Sequence, residues 1–315
     1  MKGHHALLRP ALLALTLVSG LASAAELVPD PPFECSNCDA WNEPQAPFRI
    51  YGNSYYVGTA GLASILVVGK DDDGEPALIL LDGALPQSAP LIADNIETLG
   101  YRLDQLKVIM VSHAHFDHAG GIAALQRASG AKVYVSPANL EAFHTGQVPS
   151  YDPQFGYAPD NGFPPVPSAE LLIPHSMVED GHGLEIRSHR MPGHTVGSNG
   201  YSWRACEGDV CLDLVYADSM GAVSSPGFRF SAPMAPLDGR STATLLREST
   251  ETLRTLDCDI LLFPHPFYFD MHEKLAAWEA NPDDNPFIDP TACATAADQF
   301  AAALDRRLAQ EAEND

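Results

Sequence analysis

Positively charged residues are scarce in this 315-residue chain. It contains 18 Lys and Arg against 41 Asp and Glu, which gives a formal charge of −23. A nucleic-acid-binding protein needs a basic face that displaces counterions from phosphates. Docking on an anionic membrane needs clusters of Lys and Arg. The composition therefore argues against both classes of partner.

Long hydrophobic runs are scarce as well. A membrane-spanning helix needs about 20 consecutive apolar residues, and the N-terminal apolar run 11–18 is far shorter. Lys2 and Arg9 precede this run and small residues follow it, which is the three-part pattern of a secretory signal. We expect residues 1–25 to be a cleaved signal peptide and the mature protein to be periplasmic or secreted. We expect no membrane insertion after cleavage.

Cysteine is too sparse for a disulfide-built scaffold, since there are six in the whole chain. An oxidising compartment still allows two or three disulfides on an ordinary core. Cys206 and Cys211 flank a segment where two strands would turn, so we expect a disulfide across that hairpin. Cys35 and Cys38 are interpreted as a small-ring disulfide. A redox motif or half of a zinc ribbon is the alternative for that pair.

Strand and helix patterns interleave along the chain without a linker-like break. Residues 26–47 are rich in proline and predict an extended N-terminal arm. Residues 48–315 then predict one α/β domain. Turn residues and apolar runs predict strands at 48–51, 54–57, 64–68, 77–82, 107–111, 132–135, 184–190, 200–204, 210–216 and 260–263. Helices are predicted at 87–99, 119–128, 241–256 and 291–313, and the proline-rich segment 149–167 as a lid.

Four potential metal ligands lie within six residues, directly after the apolar strand 107–111. They are His113, His115, Asp117 and His118. In an extended turn the side chains of residues i and i+2 point the same way, so His113 and His115 can converge on one ion. The turn into the following helix brings Asp117 and His118 towards a second position. Imidazole and carboxylate are ligands that zinc accepts, and we therefore predict a zinc site here.

Two further histidines follow predicted strands. His194 lies in a Gly-flanked turn after strand 184–190, and His265 follows strand 260–263. Either one alone is more typical of a structural or surface histidine. After the first cluster they supply a third ligand for each of two ions. Three protein ligands leave a position for water, which is typical of catalytic zinc. The other mature-chain histidines lack such spacing and are interpreted as surface or structural: His144, His175, His182, His189 and His272.

The spacing of these motifs resembles the metallo-β-lactamase superfamily, and most of all subclass B3. The resemblance covers nearly the whole mature chain and includes Gly193-His194-Thr195, Tyr216-Ala217-Asp218-Ser219 and Pro264-His265-Pro266. It implies an αββα sandwich, an α/β fold. It implies two Zn²⁺ per chain, the first bound by His113, His115 and His194 and the second by Asp117, His118 and His265. It also implies a Cys258–Cys293 disulfide that fastens the last helix to the sheet.

The resemblance further implies a reaction. A metal-bound hydroxide at the dinuclear zinc site would open the β-lactam amide bond, a basis of antibiotic resistance. Asp117 would orient the hydroxide and relay its proton, and Ser219 and Gln154 would bind the substrate. Two positions depart from the subclass: Gly221 stands where a second hydroxyl residue is usual, and Phe267-Tyr268-Phe269 is bulkier than usual. We expect a monomer with a small-molecule partner.

A second activity stays open at this point. Lactonases and thioesterases of the same superfamily often use an Asp near the position of Asp218 to bridge the metals. Ser219 and the Cys258–Cys293 pair favour the β-lactamase. A non-catalytic metal-binding or scaffolding protein is disfavoured, because all six expected ligands are present.

Overall fold

The computed structural model describes residues 26–157, 162–172, 177–179 and 184–313, the side chains of 177–179 excepted. The described residues do not include the predicted signal peptide, His175 or His182. The strands are β1 Phe48–Tyr51, β2 Ser54–Tyr56, β3 Ile65–Lys70, β4 Pro76–Leu81, β5 Leu106–Met110, β6 Lys132–Val135, β7 Glu170–Leu171, β8 Met177–Glu179, β9 Glu185–Arg190, β10 Asn199–Glu207, β11 Val210–Tyr216 and β12 Ile260–Leu262. The helices are α1 Cys38–Trp41, α2 Ala89–Thr98, α3 Phe116–Ala119, α4 Ile122–Ser129, α5 Leu140–Thr145, α6 Thr242–Thr255, α7 Met271–Ala280 and α8 Ala292–Glu313.

The strands form two sheets. The first has the order β1-β2-β3-β4-β5-β6-β7, antiparallel from β1 to β4 and parallel from β4 to β7. The second has the order β12-β11-β10-β9-β8, antiparallel except for the β11–β12 pair. The sheets face each other, and helices cover their outer faces. The predicted αββα sandwich is confirmed.

Alternation along the strands explains this layering, because neighbouring side chains of a strand point to opposite faces. In β3, Ile65 and Val67 belong to the apolar core between the sheets, together with Tyr201 and Tyr216 of the second sheet. Leu66 belongs instead to a separate outer core with residues of α2 and α4. Strand β3 of the first sheet is therefore covered by apolar residues on both faces.

At three places the structure departs from the predicted elements or adds to them. The helix predicted at 119–128 begins earlier, as α3, and is interrupted before α4. A Cβ at Gly120 would lie 2.4 Å from Pro86 Cδ, and one at Gly121 2.3 Å from the carbonyl oxygen of Gly83, so glycine is required at this close approach. Helix α7 was not predicted, because Met271 is its only buried residue and it shows no apolar stripe. The predicted lid contains turns over 150–157 in its described part.

The cysteines form three disulfides, Cys35–Cys38, Cys206–Cys211 and Cys258–Cys293. Cys206 and Cys211 face each other across the β10–β11 hairpin, as predicted. Cys258 is attached to Cys293 of α8 next to β12. The N-terminal arm is held against the domain, where Phe33 stacks on Phe116 with ring centroids 3.9 Å apart. None of the helices in the described ranges combines the length and apolarity that crossing a membrane requires.

Candidate metal centre

The predicted ligands come together where three strands end. His113, His115, Asp117 and His118 follow β5, and His115 is the extended residue that precedes α3. His194 follows β9 and His265 follows β12. The backbone at Gly193 has φ of 135°, and a Cβ there would lie 2.7 Å from the Leu246 backbone nitrogen. Glycine thus lets the His194 turn pack against α6.

Three histidines form the tightest set, which we call the three-histidine group: His113, His115 and His194. Their ligand atoms all lie within 4.8 Å of one another. The ring centroid of His113 lies 4.7 Å from that of His115 and 4.8 Å from that of His194. All three side chains are buried. The first predicted ligand set is therefore assembled by the fold.

Each of these histidines contacts an oxygen on the side away from the group. Nδ1 of His113 lies 2.8 Å from Oδ1 of Asp218, and Nε2 of His115 lies 3.0 Å from Oδ1 of Asp152. Nδ1 of His194 lies 2.8 Å from the carbonyl oxygen of Gly221. A nitrogen that donates to a carbonyl or carboxylate carries the ring proton, which leaves the other nitrogen free to coordinate.

The second predicted set, Asp117, His118 and His265, is called the Asp117 group. Oδ2 of Asp117 lies 3.3 Å from Nε2 of His118 and 3.5 Å from Nε2 of His265. Asp117 and His118 also lie with His113 in a set of ligand atoms within 4.8 Å. His265 is not in that set, although its ring centroid is 4.9 Å from that of His118. This half of the site is assembled less closely than the first.

Burial and neighbouring histidines control the protonation of the three-histidine group. Burial, and then the neighbouring His118, His115 and His194, lower the pKa of His113 well below its ordinary value. Burial and His115 lower the pKa of His194 to about 3. Both imidazoles are therefore neutral at neutral pH, as metal ligands must be.

In the Asp117 group, charged neighbours act against burial in setting the protonation of Asp117 and His118. Burial by itself would raise the pKa of Asp117, but His118 and His265 bring it well below the ordinary value. Burial would lower the pKa of His118, but Asp117, Asp82 and Asp218 raise it. Burial lowers the pKa of His265. Asp117 is therefore a carboxylate at neutral pH.

Asp82 is a structural support of the site, although the sequence pattern marks it only as the end of a strand. Its Oδ1 accepts a hydrogen bond from the Ser112 backbone N–H at 2.7 Å, and its Oδ2 accepts from the Ser112 and Tyr216 hydroxyls at 2.7 and 2.6 Å. Asp82 is fully buried and has φ of 62°. It fixes the residue before His113. The only sequence signal was an Asp-Gly pair at a strand end.

The two groups border a cavity of about 460 Å³. Its lining consists of Cys35, Ser36, Asn37, Trp41, His115, Phe116, Asp117, Gln154, Tyr157, His194, Ser219, Val223, His265, Phe267 and Tyr268. Ser219 and Gln154, the two predicted substrate-binding residues, both line it. Gln154 Nε2 lies 3.1 Å from Nε2 of His194. The site is thus open to a molecule of moderate size.

Asp218 and the remaining histidines contact other partners. Asp218 belongs to neither of the two metal-capable sets and contacts His113 from behind. His144 and His272 contact the carbonyl oxygens of Ala169 and Ala60. His189 Nε2 lies 2.7 Å from the Ser202 hydroxyl. The positions agree with structural roles for these three histidines.

The residues present fit a divalent metal such as zinc. Nε2 of His113 and both ring nitrogens of His118 are buried without a hydrogen-bond partner. Buried polar atoms are normally paired, and unpaired ones point to an unseen partner. Neutral imidazoles and one carboxylate are suitable zinc ligands. The site therefore has the donor set, the geometry and the unsatisfied atoms that a metal would use.

Comparison with known proteins agrees with this architecture. Residues 58–265 match the family model of the metallo-beta-lactamase superfamily. The solved structure of the Rm3 metallo-beta-lactamase is 41% identical and covers 88% of this chain and 99% of that chain, with a TM-score of 0.81. MEM-A1, a subclass B3 metallo-beta-lactamase from a soil metagenome library, is 37% identical and covers 87% and 100%, with a TM-score of 0.80.

A curated relative is similar over a shorter segment. The hydroxyacylglutathione hydrolase of Pseudomonas paraeruginosa is 29% identical over 119 residues, which are 37% of this chain and 36% of that protein. The match thus spans about a third of that relative. The family model, the sandwich and the cluster of histidines at the strand ends lead to one conclusion: the chain belongs to the metallo-β-lactamase superfamily and is similar to its subclass B3 enzymes.

Proposed function

We propose that this protein is a zinc-dependent β-lactamase that hydrolyses the amide bond of β-lactam antibiotics. The observation that carries the proposal is the three-histidine group, in which every ring has an oxygen partner behind it. The group opens, beside the Asp117 carboxylate, into a substrate-sized cavity. A preformed set of three ligands next to an ionised carboxylate is suited to hydrolysis.

Two Zn²⁺ per chain are part of this proposal. His113, His115 and His194 would hold one ion, and Asp117, His118 and His265 the other. Zinc bound there would supply Lewis acidity towards a carbonyl oxygen and would lower the pKa of a nearby water.

The chain's own residues have separate tasks in the reaction. Asp117 is a carboxylate at neutral pH and orients a water molecule towards the lactam carbonyl carbon. As the carbon–oxygen bond forms and the carbon–nitrogen bond breaks, Asp117 accepts the water proton and returns it to the departing nitrogen. Ser219, whose hydroxyl is buried without a hydrogen-bond partner, donates to the substrate. Gln154, which lines the same cavity, donates to the substrate from its side-chain amide nitrogen Nε2.

Similarity and geometry both favour a β-lactam over other substrates. The β-lactamase structures cover 88% and 87% of this chain, whereas the hydroxyacylglutathione hydrolase match covers 37%. Asp218 was the residue that favoured the alternative, and its contact with His113 gives it an orienting role instead. Thioester hydrolysis is the second candidate, because the curated relative is named a hydroxyacylglutathione hydrolase and an acylglutathione is a thioester. We also propose a monomer that is exported to the periplasm or secreted.

The deciding experiment is a substrate panel with purified mature protein loaded with zinc. We expect turnover of a chromogenic cephalosporin and a carbapenem, and loss of that turnover after treatment with a chelator. Lactones and a glutathione thioester serve as competing substrates. Turnover of a lactone or thioester without opening of any β-lactam would disprove the proposal.

A further inference from the structure

One contact at the cavity wall joins the two positions that depart from subclass B3. Tyr268 lies in the turn after β12, and Gly221 lies in the segment after β11. A Cβ built on Gly221 would lie 3.0 Å from the Tyr268 hydroxyl oxygen. Gly221 is not among the glycines with positive φ, so its backbone does not require glycine. What the absent side chain provides is space for the Tyr268 hydroxyl.

Neighbouring rings fix the direction of this hydroxyl. The Tyr268 ring packs against Phe267, Phe300 and Phe263, with ring centroids at 4.2, 5.2 and 5.7 Å. Among the described residues we find no hydrogen-bond partner for the hydroxyl. Tyr268 and Ser219 line the same cavity. A tyrosine hydroxyl is protonated at neutral pH, so this one can donate to a molecule in the cavity.

The described residues that line the cavity include no Lys and no Arg. Bicyclic β-lactams carry a carboxylate beside the lactam nitrogen. On the protein side, neutral donors must recognise that carboxylate.

We propose that Tyr268 is a substrate-binding residue whose hydroxyl donates a hydrogen bond to the substrate carboxylate, in the space that Gly221 leaves open and together with Ser219. This inference rests on the proposed β-lactamase function. In this proposal the departures at 221 and 268 depend on each other, because the glycine at 221 leaves space and the tyrosine at 268 places its hydroxyl there.

The test compares wild-type protein with Tyr268→Phe, which keeps the ring packing and removes only the hydroxyl. The probes are a chromogenic cephalosporin with a free carboxylate and the methyl ester of the same compound. Loss of a hydrogen bond to a charged group predicts a KM for the free acid about tenfold higher. We expect an unchanged KM for the ester, an unchanged kcat for both and an unchanged zinc content. Tyr157→Phe, which removes another hydroxyl from the cavity lining, is the matched control and should keep the wild-type ratio of the two KM values.

A second variant tests the pairing. In Gly221→Ser/Tyr268→Phe, the serine hydroxyl enters the vacated space, and we expect much of the lost affinity for the free acid to return. An unchanged KM for the acid in Tyr268→Phe, or an equal rise for acid and ester, would overturn the inference while an active wild type upholds the β-lactamase. A wild type that opens no β-lactam would refute the proposed function, and this inference with it.

Discussion

The two halves of the metal centre are held in different ways. In the three-histidine group, Asp218, Asp152 and the Gly221 carbonyl contact the rings from outside. In the Asp117 group, the shortest contacts run between its own members, from Asp117 to His118 and to His265, and the nearest outside carboxylate, Oδ2 of Asp82, lies 3.9 Å from Nδ1 of His118. The first group is aligned by the surrounding protein. The second depends more on a bound ion to align it.

This difference has a consequence for metal affinity. Partners behind a ligating histidine fix its tautomer and ring direction before metal arrives. Like-charge repulsion is also small in the three-histidine group, because His113 and His194 are neutral. We therefore expect the three-histidine group to bind the first and tighter zinc ion, and the Asp117 group to bind the second.

The largest expected effect is the contrast between His115→Ala and His265→Ala. Losing His115 should remove the tighter ion and lower kcat/KM by more than about 100-fold, the upper end of what loss of an outer partner costs. Losing His265 should leave close to one zinc per chain and lower turnover less, with the fold intact. Elemental analysis and steady-state kinetics measure both, with His144→Ala as the control. Equal losses in the two variants would show that the halves do not differ, and unchanged activity in His265→Ala would remove His265 from the site.

Asp218→Asn tests the outer support with a smaller effect. The amide has nearly the same size but is a weaker acceptor for Nδ1 of His113. We expect affinity for the tighter zinc to fall about 10–100-fold, as loss of such partners does elsewhere. Competition with a chromogenic chelator measures this affinity, and Asp94→Asn on the exposed face of α2 is the matched control. If only the second, weaker zinc bound less tightly in this variant, Asp218 would not support the three-histidine group.

The smallest expected effect is on the pH dependence of stability in the metal-free protein. The pKa of His194 falls from about 6.5 in the unfolded chain to about 3 in the folded protein. Between these values the unfolded chain binds more protons, so the free energy of unfolding should decrease as pH falls. The pKa of His118 is raised, so its contribution is full below about 6.5 and is lost as pH rises through the folded value.

Urea denaturation across pH 3 to 8 checks this expectation. His194→Asn should make the acid-side decrease shallower and leave the neutral side unchanged. His118→Asn should do the reverse. The same profile in both variants and the wild type would mean that neither group controls stability through protonation.

Much of this structure could be predicted from local pattern. Strands 48–51, 132–135 and 210–216 have the predicted bounds, because alternation and turn residues are local signals. Helix α6 is shorter than the predicted helix 241–256 by one residue at each end, and Ser241 is its N-cap. Helix α7 was missed because it buries almost nothing. The metal ligands were predicted from their spacing and from a family resemblance, and their assignment to ions stays a prediction.

The sequence by itself determined which donors exist and that they follow strands, because strands and turns are recognised from neighbouring residues alone. Only the tertiary structure decided which oxygen contacts each histidine. Asp82 lies 30 residues along the chain from Ser112, Asp152 lies 37 residues from His115, and Asp218 lies 105 residues from His113. No local pattern relates residues so far apart, since sheet packing alone brings them together. The pairing of Gly221 with Tyr268 is likewise a product of two strand ends meeting.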